Sequence, residues 1–194
     1  VKGTTVEYLK NNVVFYTSTR KAKFPLYVRS AIKFGGIKNI QLDINHSPYA
    51  AKSEFTWDTS NSHNIDFNSD GSITPKTISW ESRTISHQLI HYNPNLIQGV
   101  RFQIRNTTGH EMMGLGVDTN WDVVGTSHYN AIHFATYFVP DSDVVRVYES
   151  DPTLGVSSSN ISDQSSSFNI GNTTDDIFEV RVMGYTVEYV KNDE

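Results

Sequence analysis

A short acidic segment carries the sharpest chemical pattern in the chain. Asp66, Asn68 and Asp70 alternate with other residues and precede a glycine, which matches the first half of an EF-hand-type calcium loop. Oxygen atoms at these positions converge on one cation because the glycine allows a sharp turn. The twelfth position, which should be a bidentate glutamate, is Thr77, so another residue such as Glu81 would have to complete the shell.

The same segment also predicts a plain β-hairpin. Asp70 and Gly71 form a strong turn dipeptide between an alternating run at 63–67 and a shorter one at 72–74. Because the twelfth position lacks its carboxylate, we favour the hairpin over the metal site. Calcium is kept as the alternative, and no other cofactor is expected.

Aromatic and amide side chains concentrate between residues 118 and 130. Sugars stack their apolar faces on aromatic rings, while their hydroxyls form hydrogen bonds with Asp and Asn side chains. We therefore predict that this stretch provides a glycan-binding surface. Its expected members are Asp118, Asn120, Trp121, His128 and Tyr129.

Carboxylate pairs that cleave glycosidic bonds can lie far apart in sequence. Candidate members are Glu54, Asp58, Asp118 and Asp122, and nothing in the sequence singles out one pair. Surface carboxylates are the more common explanation for such residues. We expect a non-catalytic protein, with a polysaccharide hydrolase or lyase as an alternative.

The remaining residue patterns contain no recognisable catalytic or nucleotide-binding motif. His87 and His91 are four residues apart but lack the glutamate of the zinc-protease sequence. P-loop, nucleophile-elbow and dinucleotide-binding sequences do not occur. Trp57 and Trp80 lie inside alternating runs, so we expect both rings to belong to the core.

The elements that position these residues are predicted to be β-strands. β-branched and aromatic residues alternate with polar ones, and turn signals recur about every 8 to 12 residues, which is typical of a sandwich or barrel. We predict an all-β, antiparallel β-sandwich that is jelly-roll-like and has little or no helix. Residues 84–92 are ambiguous between helix and strand, and residues 157–167 predict a long serine-rich loop. Strands are predicted at 4–9, 13–17, 26–34, 37–44, 63–67, 76–80, 100–104, 112–117, 131–139, 144–148, 168–170 and 178–190.

Composition limits the classes of partner. The chain has 194 residues and no cysteine, which excludes a disulfide framework, thiol catalysis and thiolate metal sites. Its net charge of −5 provides no basic surface for nucleic acid. Apolar runs are too short to span a bilayer, so we expect neither nucleic-acid binding nor membrane insertion.

The two ends of the chain are similar. Residues 1–12 (VKGTTVEYLKNN) and 182–193 (VMGYTVEYVKND) are identical at eight of twelve positions. Self-similarity of this kind favours a unit cut from a tandem array. Residues 1–12 would then be a leading strand that ends a preceding homologous unit, and 13–194 a single β-sandwich domain. The alternative is two similar strands built from common strand residues.

The chain also resembles a known class of proteins. It lacks cysteine, is rich in Asn, Ser, Thr and Tyr, is mildly acidic, and is predicted to be all-β and repeated. In these respects it resembles a head or accessory domain of a tailed-phage tail fibre or tailspike. The resemblance covers the whole chain without a diagnostic motif, so no residue is carried over. It implies a homotrimeric, virion-attached sandwich that binds a bacterial surface glycan or serves as structural material.

A second resemblance is to the carbohydrate-binding modules of polysaccharide-degrading enzymes, which often pair a β-sandwich with a structural calcium. We expect a non-catalytic domain of a larger virion or surface fibre protein, located outside the cell or on the virion surface. Its expected partners are a surface glycan or protein receptor and further copies of the chain, with a trimer favoured. The alternatives are a purely structural, capsid-type jelly roll and an enzyme or its binding module.

Overall fold

The computed structural model describes residues 13–43, 55–117, 132–140, 144–149 and 164–192. These residues form an antiparallel β-sandwich with one short 3-10 helix at Thr59–Asn61, so the predicted all-β class is confirmed. The jelly-roll-like connectivity stays a prediction, and residues 1–12 lie outside the described part of the chain. The strands are β1 (Val13–Lys21), β2 (Leu26–Phe34), β3 (Ile37–Asp43), β4 (Ile65–Phe67), β5 (Ile73–Pro75), β6 (Arg83–Ile90), β7 (Ile97–Ile104), β8 (His110–Gly116), β9 (Phe134–Phe138), β10 (Val144–Glu149), β11 (Gln164–Asn169), β12 (Ile177–Met183) and β13 (Thr186–Asn192).

The described strands form two sheets that face each other. One sheet has the order β1-β13-β12-β7-β3-β5-β4, and the other has the order β11-β10-β9-β8-β2-β6. Phe102 and Phe178 of the first sheet contact Phe138 of the second, with ring centroids 6.0 and 4.7 Å away. All three rings are buried, and burying such a side chain stabilises a fold by about 1.5 to 3 kcal/mol.

Along strand β7, buried side chains alternate with partly covered ones, and the buried ones point into the core between the two sheets. In β7, Val100, Phe102 and Ile104 are buried, while Arg101 and Gln103 between them are only partly covered. Successive side chains of a strand point to opposite faces, so this period of two sends every second residue into the core. The same period in the sequence is what predicted the strand.

Two predicted elements are corrected by strand pairing. Residues 84–92, ambiguous in sequence, belong mostly to strand β6, because Ile85 and Ile90 lie opposite Arg29 and Leu26 of β2. A nine-residue segment is too short for a stable isolated helix, so pairing with β2 decides its conformation. The strand predicted at 76–80 is wrong: β5 ends at Pro75, and the chain then turns back towards β6.

The C-terminal run 178–190 is two strands and not one. β12 and β13 pair with each other through the turn Gly184-Tyr185, which lies between the paired residues Met183 and Thr186. Gly184 has φ +59°, a left-handed value that glycine adopts without strain at the first position of a two-residue hairpin turn. The last four residues of the serine-rich loop predicted at 157–167 belong to strand β11, and the rest of that loop lies outside the described residues.

The loops define two ends of the sandwich. At one end lie loops 22–25, 91–96 and 184–185, which we call the tyrosine end. At the other lie turns 35–36, 68–72 and 105–109, which we call the turn end. Within the described ranges, no helix is long and apolar enough to cross a membrane.

Candidate functional site

The segment that resembles a calcium loop is the turn of a hairpin. Strand β4 pairs with β5, with Asp66 opposite Thr74. The turn is closed by the backbone N–H of Asn68, which donates to the Ser72 carbonyl over 2.9 Å, and by the N–H of Gly71, which donates to the Asn68 carbonyl over 3.0 Å. The favoured hairpin prediction is thereby confirmed.

The polar side chains of this turn bind one another. The Oδ1 of Asp70 accepts hydrogen bonds from the Ser72 hydroxyl at 2.6 Å and from the Ser72 N–H at 2.9 Å, which lower the pKa of Asp70. The side-chain amide of Asn68 donates to the Ser72 and Thr74 hydroxyls at 3.1 and 3.3 Å. An amide nitrogen cannot coordinate a cation, so Asn68 would have to rotate to contribute its oxygen.

The remaining candidate calcium ligands lie elsewhere. Asp66 is exposed and forms a 3.8 Å ion pair with Lys76. The Thr77 hydroxyl accepts a hydrogen bond from the Asn64 amide, and Glu81 is exposed. In the described ranges, no three acidic or histidine side chains are arranged as a metal site. Calcium at this loop stays the alternative to a plain hairpin, and chelation tests it.

The predicted glycan-binding residues lie outside the described part of the chain. The strands that flank them end at the tyrosine end, where Gly116 of β8 lies opposite Tyr27, and the His133 N–H donates to the Leu115 carbonyl at 3.0 Å. The prediction for these five residues therefore stands as made from sequence. They are Asp118, Asn120, Trp121, His128 and Tyr129.

Three aromatic rings gather at the tyrosine end. Tyr92 and Tyr185 stack with centroids 4.6 Å apart and an interplanar angle of 28°. Phe24 packs edge-on against both, with centroids 5.6 Å from Tyr92 and 6.3 Å from Tyr185. Tyr92 is 46% exposed and Tyr185 51% exposed, although large aromatic side chains normally contribute to a core. We call these three residues the tyrosine cluster.

Backbone hydrogen bonds hold the three loops in place. The N–H of Ala22 donates to the Tyr185 carbonyl over 2.9 Å, and the N–H of Gly184 donates to the Asn93 carbonyl over 3.3 Å. Tyr185 occupies the second position of the β12–β13 turn, so its side chain lies at the tip of a hairpin. The rings are thus presented by a short turn fixed on both sides.

Amide side chains accompany the rings. Asn93 accepts a hydrogen bond on its Oδ1 from the Asn95 N–H at 2.9 Å, and Asn95 itself is exposed. Gln98 donates from its side chain to the His91 carbonyl at 2.9 Å, which anchors the start of the same loop. Exposed rings beside amides can stack on the apolar face of a ligand while bonding its hydroxyls.

A second aromatic cluster has a different character. Trp80, His110 and Tyr137 lie on the outer face of the six-stranded sheet, towards the turn end, with centroids about 6 Å apart. The Tyr137 hydroxyl and His110 Nδ1 share a 2.8 Å hydrogen bond, and burial lowers the pKa of His110. Trp80 and Tyr137 are partly buried and pack on a cluster of buried residues that includes Met112, so Trp80 supports the outer face of this sheet and not the core between the two sheets.

A buried carboxyl lies beside this cluster. Glu111 is fully buried, and its Oε1 accepts a 3.0 Å hydrogen bond from the Gly36 N–H. Removal from water raises its pKa to about 8, which keeps it protonated at neutral pH. Its carboxyl contacts the backbone of Gly35 and Gly109, so a side chain at either glycine would collide with it. Glu111 joins two turns and has no path to a substrate.

Of the four carboxylates considered for catalysis, Glu54, Asp118 and Asp122 lie outside the described ranges, and Asp58 has a structural role. Asp58 caps the 3-10 helix by accepting hydrogen bonds from the N–H groups of Ser60 and Asn61 at 3.0 and 3.2 Å. Hydrogen bonds from the Ser60 and Asn61 side chains lower its pKa to about 2. Trp57, next to it, packs edge-on against Phe55 at 4.7 Å and covers the core, as expected.

Sequence reasoning missed the tyrosine cluster. Tyr92 ends a segment that was ambiguous between helix and strand, and Tyr185 lies inside a run interpreted as one strand. The available signals were Asn93-Pro94, a turn dipeptide, and Gly184, a glycine inside an otherwise apolar strand pattern. The turn dipeptide predicts a loop next to Tyr92, and Gly184 predicts a turn next to Tyr185.

Comparison with models of known protein families, with characterised proteins and with solved structures finds no match to this chain. Its function must therefore be inferred from the chemistry of its side chains. Among the described residues, the tyrosine cluster is the exposed group of aromatic rings with neighbouring amide side chains.

Proposed function

We propose that this domain binds a surface glycan, without catalysis, through the tyrosine cluster. The observation that carries the proposal is the stacked pair of Tyr92 and Tyr185, each about half exposed. An exposed ring presents an apolar face to the C–H groups of a sugar, and the neighbouring amides of Asn93 and Asn95 match its hydroxyls.

The cluster is already organised for binding. Phe24 supports both tyrosines from the side, and hydrogen bonds from Ala22 and Gly184 fix the backbone of the loops. A preformed site loses less conformational entropy when its ligand binds. A shallow surface of two rings and a few amides is suited to one or two sugar units.

The surroundings of Glu111 and Asp58 support a binding role for this domain over catalysis at either carboxyl group. Glu111 is enclosed between two turns, and Asp58 is held by its capping hydrogen bonds. A glycosidase needs two carboxyl groups on either side of an accessible cleft, about 5 to 9 Å apart. Neither Glu111 nor Asp58 meets that requirement.

The setting of the domain is part of the proposal. We place the domain outside the cell or on a virion surface, as a homotrimer within a larger fibre protein. This part of the proposal rests on the composition and on the similarity of residues 1–12 to 182–193. A protein receptor is the alternative ligand for the same exposed rings. A second copy of the chain is the alternative occupant, because exposed apolar patches also mark subunit interfaces.

A glycan array followed by titration calorimetry tests the proposal. The unaltered chain is screened, and the best sugar is then titrated against Tyr92→Ala and Tyr185→Ala. We expect each substitution to lower affinity about tenfold, the effect of losing roughly 1.4 kcal/mol of stacking. The matched control is Phe67→Ala, which removes a 40% exposed ring at the turn end and should leave affinity unchanged.

Several results would reject the tyrosine cluster as the binding site. These are no sugar bound on a broad array, or affinity unchanged in both tyrosine variants. Loss of affinity in Trp121→Ala alone would assign binding to the sequence-predicted stretch instead. Light scattering measures the oligomeric state of the same variants. A trimer that dissociates in Tyr185→Ala would show that the tyrosine cluster is a subunit interface.

A further inference from the structure

Acidic residues do not occur in two long stretches of the sequence. Residues 13–42 and 82–110 contain no Asp or Glu, although the whole chain has 21 acidic residues against 16 Lys and Arg. Loop 22–25 of the tyrosine end lies in the first stretch and loop 91–96 in the second, while loop 184–185 is Gly-Tyr. The three loops that present the tyrosine cluster therefore carry no carboxylate, in a protein whose net charge is −5.

Two exposed lysines lie beside the tyrosine cluster. Lys21 ends β1 and lies opposite Thr186, the residue that follows Tyr185. Lys23 lies two residues further on, and the N–H of Ala22 between them donates to the Tyr185 carbonyl over 2.9 Å. Neither ammonium has an ion-pair partner among the described residues. The backbone that fixes Tyr185 thus also places two positive charges next to it.

Other cations of the described chain are paired within the fold. The Nε of Arg20 lies 4.0 Å from the Oε2 of buried Glu149, and the Arg20 side chain is only 17% exposed. Lys76, near the turn end, lies 3.8 Å from the Asp66 carboxylate. Lys21 and Lys23 instead present their charge to solvent.

The combination of rings and lysines matches an acidic sugar. A sugar whose face stacks on an aromatic ring turns its edge, with its hydroxyl and carboxyl substituents, towards the residues around that ring. An ammonium is a compact charge on a flexible stem, so it can reach a carboxylate without a fixed geometry. Positive charge beside a binding surface also raises the local concentration of an anionic ligand and its association rate.

We infer that the glycan bound by the tyrosine cluster is acidic, with its sugar ring stacked on Tyr92 or Tyr185 and its carboxylate bound by Lys21 and Lys23. The inference rests on the proposed function and adds the charge of the ligand to it. The half-exposed rings favour a sugar over an acidic peptide, because a pyranose offers a flat apolar face and an Asp or Glu side chain does not.

Matched pairs of acidic and neutral sugars test the inference. The acidic probes are tetramers of galacturonic, glucuronic and mannuronic acid, and each is compared with its carboxyl-reduced form, which has the same linkages but no charge. Sialyllactose is compared with lactose in the same way. Titration calorimetry at low salt should show at least one acid binding about fivefold more tightly than its neutral partner, the effect expected of two exposed ion pairs.

Lysine variants should act on the acidic sugar alone. Lys21→Gln and Lys23→Gln each remove one charge, and each should weaken binding of the acidic sugar about two- to fivefold. The double variant should bind the acidic and the neutral sugar equally. Tyr185→Ala should weaken both, because stacking does not need the charge. The matched control is Arg105→Gln, which removes one exposed charge at the turn end and should change neither affinity.

Ionic strength provides an independent measurement. Raising sodium chloride from about 50 mM to about 500 mM screens exposed charges, so affinity for the acidic sugar should fall severalfold towards that for its neutral partner. Affinity for the neutral sugar should stay the same. In the double lysine variant, the salt dependence of binding should disappear.

The possible outcomes separate this inference from the proposed function. Equal affinities within every pair, lowered alike by Tyr185→Ala, would overturn the inference and leave glycan binding by the tyrosine cluster intact. A preference for acids that persists in the double lysine variant would also overturn it. No binding of any sugar would reject both proposals. Lysine-dependent binding of a polyglutamate peptide without binding of any sugar would reject both and make the ligand an acidic peptide.

Discussion

The two ends of the sandwich differ in how far their aromatic rings are exposed to solvent. At the tyrosine end, Tyr92 and Tyr185 stack in the open, each about half exposed. Towards the turn end, Trp80 and Tyr137 pack on the sheet, and His110 is hydrogen-bonded to the Tyr137 hydroxyl. Among the described residues both ends carry clustered aromatic rings, and the stacked pair at the tyrosine end is the one that is about half exposed to solvent.

The difference shows that clustering of rings does not by itself mark a binding surface. Polar side chains of the turn end bind partners within the fold, as the Asp70 carboxylate does with Ser72 and the Asn68 amide with Ser72 and Thr74. At the tyrosine end, backbone hydrogen bonds from Ala22 and Gly184 help to fix the loops, and the rings of Tyr92 and Tyr185 stay about half exposed. Exposure on a fixed backbone is the better indicator of a site.

The largest effect is expected at Glu111, on the turn end. Its pKa is about 8 in the folded state against an ordinary 4.5, so folding favours the protonated form. The stability it contributes is full below pH 4.5 and is lost as pH rises to 8, by about 1.4 kcal/mol per pH unit. Glu111→Gln should therefore remove this slope and stabilise the protein by a few kcal/mol at pH 8.

Denaturant titrations of both chains between pH 4 and pH 9 measure this effect. Gln keeps the oxygen that accepts the Gly36 N–H, so the contact itself is retained. Parallel stability curves for the two chains across that range would show that Glu111 is not the group responsible.

Trp80→Ala should give the next largest effect, on stability alone. Its ring contacts His110 and Tyr137 and packs on the outer face of the six-stranded sheet, so its removal should cost about 2 to 3 kcal/mol. Glycan affinity should stay within error, because the ring lies towards the turn end. Thermal unfolding measures the stability and titration calorimetry the glycan affinity of one preparation. A fall in affinity would contradict the claim that glycan binding is confined to the tyrosine end.

Phe24→Ala should have a smaller and mixed effect at the tyrosine end. Phe24 supports Tyr92 and Tyr185 edge-on, and such aromatic pairs contribute about 0.5 to 1.5 kcal/mol beyond burial. We expect a severalfold loss of glycan affinity and a modest fall in melting temperature. Phe24→Leu, which keeps much of the bulk, is the control. Equal affinities in all three chains would mean that the tyrosines need no support.

Chelation should give the smallest effect. Asp70 is already bound by Ser72, Asn68 directs its amide nitrogen at hydroxyls, and Asp66 pairs with Lys76. EDTA should therefore leave the melting temperature unchanged, and added calcium should not raise it. A rise with calcium that is lost in Asp70→Asn would establish the turn as a cation site.

Much of the fold follows from local pattern. Alternation in Val100, Phe102 and Ile104 predicts β7 because the period of a strand is a property of the backbone itself. The ends of strands are harder to predict from sequence. Strand β5 ends at Pro75 because Pro75 lies opposite Ile65, the first residue of β4. The sequence says little about such pairings.

The candidate site was hidden for a related reason. Tyr92 and Tyr185 are 93 residues apart in sequence (185 − 92), and only the pairing of β12 with β7 and of β2 with β6 brings their loops together. No spacing rule encodes that proximity. Local cues can place each tyrosine in a turn, but their stacking depends on the three-dimensional arrangement.

In the turn at Gly184-Tyr185, the fold constrains the first residue and leaves the side chain of the second free to vary. Glycine satisfies the left-handed backbone, while the next position lies at the hairpin tip, where the backbone requires no particular side chain and the Tyr185 ring is half exposed. The similar segment at the start of the chain has glycine at residue 3 but Thr4 in the place of Tyr185. A single codon at that position can therefore alter what such a domain recognises while leaving its framework untouched, which is how a binding surface can diversify under selection.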